Sequence, residues 1–207
     1  MAQILNITPD HPHQRLIDQA AALIREGALV AFPTDSAYAL GGRLSDAKLL
    51  DRIRRIRGVD ERHHFTLMCR DLSEIAIYAR VDNAQYRLLK ATTPGSYTFI
   101  LEGTKELPRR VLHPKRKTIG LRIPDYPLIL ALLTTLDEPL LTSTLILPDE
   151  TVPLTEAWEI QEHLENQIDL IIDAGPCGAD MTTVINLKNG LPELIRAGRG
   201  ALQPFGL

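Results

Sequence analysis

Short apolar runs alternate in this chain with stretches whose apolar residues recur every third or fourth position, which predicts strands interleaved with amphipathic helices in an α/β fold. Residues 12–26 place Leu16, Ile17, Ala20, Leu23 and Ile24 on one face, with Pro12 suited to a first turn and Gly27 to a C-terminal stop. Residues 29–32 read as a buried strand closed by Pro33. A second helix runs from a cap at Ser45 to about Arg57, turns Leu49, Leu50, Ile53 and Ile56 inward, and ends at Gly58. Asp71 with Glu74, and then Asp82, mark the starts of two short helices. Pro127 opens another through about Leu136, and a last helix carries Trp158, Ile160 and Leu164. Further strands are expected after the Pro-Gly turn in 93–101, at 118–124, at 140–147 and at 170–172, with a hairpin of 182–187 and 191–196 around Asn189-Gly190.

The stretch 28–42, ALVAFPTDSAYALGG, changes character most abruptly. Thr34, Asp35, Ser36 and Tyr38 follow the strand without an apolar break, so several polar groups leave one strand end together, where open α/β sheets bind ligands. The same residues equally suit a plain strand-to-helix turn, since Thr, Asp and Ser cap helices and glycine relaxes turns.

Composition bounds the class. At 207 residues and 44% hydrophobic the chain can bury one substantial core, and no compositional break divides it, so a single domain is expected. No run of about 18 apolar residues occurs, and the start MAQILNITPDHPHQ lacks the regions of a signal peptide, so a cytoplasmic protein without membrane contact is expected. Cys69 and Cys177 lie far apart and make no disulfide framework, which predicts two reduced thiols.

Although the net charge is -3, Lys48, Arg52, Arg54, Arg55 and Arg57 gather on the second helix and Arg62, His63 and His64 follow. Such a run reads either as a solvated face or as a binding rim. The rim is the sharper reading for Arg55 and Arg57, which sit in the last turn beside the next apolar run, because guanidinium forks suit phosphate and carboxylate oxygens. His63, His64 and Cys69 offer metal-ligating atoms, but adjacent histidines diverge and no further ligand has a recognisable spacing, so no protein-held metal is expected. Residues 105–117, KELPRRVLHPKRK, contain Arg109, Arg110, Lys115, Arg116 and Lys117 together with two prolines, and read as a solvated loop or as an RNA-binding surface. Arg122 within a strand wants an anion or a carboxylate partner. Thr142, Ser143 and Thr144 need partners too, from the main chain or from a ligand. The acidic loop 148–154 is the candidate lid. With no Walker loop, dinucleotide fingerprint, nucleophile elbow or HExxH present, the residues alone lead to an anion-binding α/β pocket able to grip a nucleotide triphosphate and a small carboxylate.

PTDSAYALGG resembles the PTDTxYGLG signature of the YrdC/YciO family, and TPGSYTFIL, TIGLRIP and TTVI followed by Arg196 resemble its later blocks in the same order. The likeness spans nearly the whole chain, and RIRG, NAQYRLLKATTPGSYTFILEGTKELPRR and KRKTIGLRIP look closest to the YciO branch. The resemblance implies a twisted open mixed sheet with flanking helices around a positively charged concave face. Members similar to the YrdC branch are L-threonylcarbamoyladenylate synthases, which convert ATP, L-threonine and bicarbonate to threonylcarbamoyl-AMP and pyrophosphate for modification of adenosine 37 of tRNA. Mg2+ would accompany the ATP. By position in the motifs, Thr34, Arg122, Ser143 and Thr182 match residues that contact threonine. Arg57, His64, Thr118 and Arg196 match nucleotide-contacting residues, and Arg55 with Arg57 takes the place of the catalytic Lys-x-Arg pair. The family's Ser-x-Asn becomes Ser143-Thr144-Leu145, and its Asn-Pro-Leu stretch aligns with His64, Phe65 and Thr66. The other function the resemblance leaves open is a noncatalytic protein that binds tRNA or double-stranded RNA on the basic concave surface.

Overall fold

In the computed structural model, which describes residues 1–207, the chain opens with β1 (Gln3–Asn6), α1 (Gln14–Arg25), β2 (Val30–Phe32), β3 (Ala39–Arg43) and α2 (Ala47–Arg57). It continues with β4 (Thr66–Met68), α3 (Leu72–Tyr78), α4 (Asn83–Thr92), β5 (Tyr97–Glu102), β6 (Thr118–Arg122) and α5 (Pro127–Leu136). β7 (Leu140–Thr144), α6 (Ala157–Leu164), β8 (Leu170–Asp173), β9 (Thr183–Asn186) and β10 (Glu193–Arg196) complete it. All ten strands join one open sheet in the order β1-β8-β2-β3-β7-β4-β6-β5-β9-β10. The sheet is mixed: β1/β8, β8/β2, β4/β6 and β5/β9 pair parallel, and the other neighbours pair antiparallel.

Because successive strand residues face opposite sides, each strand feeds two layers. On one side Leu40, Leu67, Phe99, Leu121, Leu141, Ile171 and Ile185 meet Leu49, Ile53, Ile75, Leu89 and Ile160 from α2, α3, α4 and α6. On the other side Val30, Phe32, Leu140, Leu170 and Ile172 meet Ile17, Ile24, Leu128, Leu132 and Leu136 from α1 and α5. These two helices cover the β1-to-β7 half of that face and reach no further than Met68 at the end of β4. Beyond β7 the corresponding positions are Thr66, Gly120, Thr98 and Val184, with no helix over them, and the cavity described below lies there.

Several elements depart from the sequence pattern. β1 was too short and mixed to be expected. The Gly41-Gly42 pair does not relax a turn; it lies inside β3, one of the central strands, because a side chain at Gly41 would strike the Phe32 ring at 2.9 Å and one at Gly42 would strike Leu49 at 2.7 Å. Thr34–Ala37 therefore link two antiparallel strands, and no helix follows them directly. The cap of α2 is Asp46, whose carboxylate accepts from the Lys48 amide at 2.8 Å, in place of the expected Ser45. The strand expected to run to residue 147 stops at Thr144. Other signals held: Gly58 ends α2 at φ 62°, Asp82 and Gln85 form a reciprocal cap on α4, Pro127 opens α5, and β9 pairs with β10. No helix is long and apolar enough to cross a membrane.

Candidate anion-binding site

A cavity of about 580 Å³ lies on the uncovered half of the sheet. Thr66, Thr98, Gly120 and Thr142 form its floor, each from a different adjacent strand and all on one face. Gly120 keeps the floor low, since a methyl there would approach Thr66 Oγ1 to 2.9 Å and Thr98 Cγ2 to 3.0 Å. Gly120→Val is accordingly expected to cost about 1–3 kcal/mol through overpacking and to weaken any ligand that rests on the floor, measured by thermal unfolding and calorimetric titration.

Arg57, Arg62, Arg116, Arg122 and Arg196 line this cavity, together with His63 and His64, and no aspartate or glutamate does. Only Arg122 among the five forms an ion pair, with Asp35. Guanidiniums gathered without a lining carboxylate give such a surface a positive potential, which favours anions over cations.

Arg122 is 6% exposed and gathers its protein partners on one terminal nitrogen: Nη2 donates to Asp35 Oδ1, to Ser36 Oγ at 3.0 Å and to Thr34 Oγ1 at 3.3 Å. Its Nε is buried without a partner. Asp35 is fixed in turn by Ser96, which donates to Oδ2 at 2.7 Å. The β2–β3 loop thereby reaches across the sheet to β6 and the start of β5. Thr34 itself is a loop brace. Its hydroxyl donates to the Ala37 carbonyl at 2.7 Å and accepts from the Ser36 amide at 3.1 Å, and it lines a second cavity of about 360 Å³ with Asp125, Cys177 and Arg199 instead of the main one.

Arg57 projects from the last turn of α2 and donates to the Thr144 carbonyl at 2.6 Å and the Ile146 carbonyl at 3.3 Å, with Nε buried and unpartnered. Arg55 is exposed and outside the cavity lining. The expected pairing of Arg55 with Arg57 is thus corrected: two residues apart on a helix point about 200° apart, so one arginine faces the cavity and the other faces solvent.

Ser143 and Thr182 both line the cavity. Ser143 Oγ lies 2.9 Å from His63 Nε2, and Thr182 Oγ1 lies 2.9 Å from Thr98 Oγ1. Arg196 is seated on the Thr182 carbonyl through Nη2 at 2.9 Å and Nε at 3.3 Å. Thr118 is buried on the same strand face as Gly120 and Arg122; its hydroxyl has no partner, and it stands just outside the lining. His64 reaches the cavity and stacks on His113, ring centroids 4.8 Å apart.

Burial, and then the nearby Arg57, His64 and Arg54 charges, push the His63 imidazole down to about 4, against a small opposing pull from Asp60. Between that value and the ordinary 6.5 the unfolded chain binds a proton that the folded chain refuses, so stability should fall as pH drops through this window. Unfolding followed from pH 7 to pH 4 is expected to show that slope, with a shallower one in His63→Gln.

The sequence pattern grouped other residues that the fold separates. Of the basic loop, Arg116 alone lines the cavity; Arg109, Arg110, Lys115 and Lys117 lie outside it. Arg110 donates to the Leu44 and Ser45 carbonyls at 3.1 Å each, and Lys117 to the Pro114 carbonyl at 3.0 Å. His63, His64 and Cys69 diverge, since Cys69 is buried in the core with its thiol toward the Leu67 carbonyl. The sequence pattern left Arg62 in a charge run without a role of its own, and it named neither Asp35 as the carboxylate that Arg122 wants nor Thr66, Thr98 and Gly120 as parts of a floor with Thr142. The floor had a signal: hydroxyl or glycine residues at alternate positions of strands whose other positions are aliphatic.

An open ten-stranded mixed sheet carrying a carboxylate-free, arginine-lined cavity defines an α/β protein with a cationic concave site. The chain belongs to the Sua5/YciO/YrdC family, whose profile, described as Telomere recombination, matches residues 22–198. It is 50% identical to YciO of Escherichia coli over 205 residues, 99% of this chain and 100% of that one, and superimposes on the crystal structure of E. coli YciO with a TM-score of 0.96 over the same shares. The crystal structure of Pyrococcus abyssi Sua5 complexed with L-threonine gives a TM-score of 0.86 at 27% identity, covering 95% of this chain and 58% of that one. The threonylcarbamoyl-AMP synthase of Bacillus subtilis is 29% identical over 88% of this chain, which spans 53% of that protein.

Proposed function

We propose that the cavity condenses ATP, L-threonine and bicarbonate into threonylcarbamoyl-AMP and pyrophosphate, for modification of adenosine 37 of tRNA. The observation that carries this reading is the meeting of Arg57, Arg122 and Arg196, far apart in sequence, on one hollow without a carboxylate. Relatives named threonylcarbamoyl-AMP synthase, and a Sua5 structure with L-threonine, support it. Arg122, which lines the cavity with Ser143 and Thr182, suits the carboxylate of the amino acid. Arg57, Arg62, Arg116 and Arg196 suit the phosphates, with His64 beside them and Thr118 at the edge. Magnesium enters on the nucleotide as part of the substrate; the cavity offers it no carboxylate. Carbamate oxygen attacks the α-phosphorus, the bond to pyrophosphate breaks, and Arg57 offsets the charge that develops on the phosphoryl oxygens.

The test is pyrophosphate release by the purified chain with ATP, bicarbonate and L-threonine. Release should require threonine and persist within about twofold in Arg55→Ala, since an exposed arginine adds little to a site it does not face. Absence of release with every amino acid tried would dismiss the reading. The exposed Arg109, Lys115 and Lys117 favour a second one, noncatalytic RNA binding, which predicts a salt-dependent affinity weakened when these residues are neutralised.

A further inference from the structure

Carbamate formation from an amine releases a proton, and the cavity holds few atoms able to take it. Its five guanidiniums are donors only, and no carboxylate lines it. Both oxygens of Asp35 are engaged, one by Arg122 and one by Ser96. Two imidazoles remain. His64 is exposed and stacked on His113. His63 is half-buried, with Nε2 2.9 Å from Ser143 Oγ and its ring held edge-on to Phe65 at 5.2 Å and 89°. Resting on the synthase reading, we propose that His63, acting through the Ser143 hydroxyl, is the proton acceptor in carbamate formation.

The free amine of threonine attacks the carbon of CO2 in equilibrium with bicarbonate. A C–N bond forms and one C=O pair moves onto oxygen. The nitrogen of the resulting zwitterion then gives a proton to Ser143 Oγ while the Ser143 hydroxyl proton passes to His63 Nε2. This leaves an anionic carbamate, an intact hydroxyl and an imidazolium, which returns its proton to water after pyrophosphate departs. The N–H of an N-protonated carbamate is far more acidic than an ammonium, because the attached carboxyl group withdraws electrons, so a weak base is adequate.

The charges facing His63 make this base conditional. Arg57 and Arg54 approach from α2, His64 and Asp60 from its own loop, and β7 contributes only the neutral Ser143. Burial and these cations keep the imidazole neutral, and the role requires the tautomer with its proton on Nδ1, which turns the Nε2 lone pair toward Ser143 Oγ. A bound triphosphate opposes the cations and raises its basicity at the moment a proton must be taken.

Two measurements test the assignment. The first is NMR titration of 13C-histidine-labelled protein, which should show the His63 imidazole titrating below pH 6 and moving upward when a nonhydrolysable ATP analogue binds. The second is pyrophosphate release, where His63→Gln should lower kcat by about 10²-fold, leave KM for ATP within about twofold, and abolish the acid limb of the pH profile. Added imidazole should partly restore His63→Ala. A His63→Gln variant with wild-type kcat and pH profile would assign the proton to a substrate phosphate and overturn the role alone, as would an imidazole indifferent to the analogue. A wild-type chain that releases no pyrophosphate removes the synthase reading, and this role with it.

Discussion

Asp35→Ala is expected to destabilise the folded chain by about 3–5 kcal/mol, because it strands Arg122 as a buried charge without its counter-ion. The guanidinium is 6% exposed, burial already pulls its pKa down, and the Asp35 charge is the main opposing influence. Ser36 and Thr34 would remain as neutral acceptors at 3.0 and 3.3 Å, too few to replace a carboxylate. For a chain of this length the loss corresponds to a fall in Tm of roughly 6–20 °C. The variant should also become more sensitive to anions, with phosphate in the buffer recovering part of the loss. Replacing both partners, Asp35→Ala with Arg122→Met, should cost less than the sum of the single changes, since neither then leaves a charge behind. A Tm shift below about 3 °C in Asp35→Ala would show that the pair does not hold the β2–β3 loop.

Arg57→Ala should reduce threonine-dependent pyrophosphate release by roughly 10²–10³-fold, the usual cost of removing one preorganised donor aimed at developing charge. Its effect on folding is expected to be smaller, about 1–2 kcal/mol, from the hydrogen bonds to the Thr144 and Ile146 carbonyls. Those two bonds also predict the behaviour of Arg57→Lys. A lysine carries the charge but has no planar fork, so it cannot hold both carbonyls and a phosphate oxygen together, and activity should recover only in part. Steady-state release, read beside a thermal melt of each variant, separates the two effects. A loss under about tenfold in Arg57→Ala would remove this residue from the phosphate site.

The local signals that survived share a cause. Gly27 and Gly58 stop their helices at φ +98° and +62°, Pro127 opens α5, and Asp82 with Gln85 caps α4. Each depends on backbone chemistry within a few residues, so tertiary packing has little to overrule. β3 was lost for the opposite reason. Its glycines resemble a turn locally, yet they are required by the Phe32 ring and the Leu49 side chain that press on them from other elements.

The site divides along the same line. By itself the sequence determined an α/β chain with arginines and hydroxyls near its strand ends, and its motif order pointed to the family, because apolar periodicity and short motifs are carried by neighbouring residues. Only the tertiary structure decided which of those groups share a cavity. It brought Arg57, Arg116 and Arg196 together with Arg62, left Arg55 and most of the 105–117 cations outside, and set His63 against Ser143 and Asp35 against Arg122. The physical reason is that these pairings join residues some 80 or more positions apart, across strands whose neighbours in the sheet are not their neighbours in sequence.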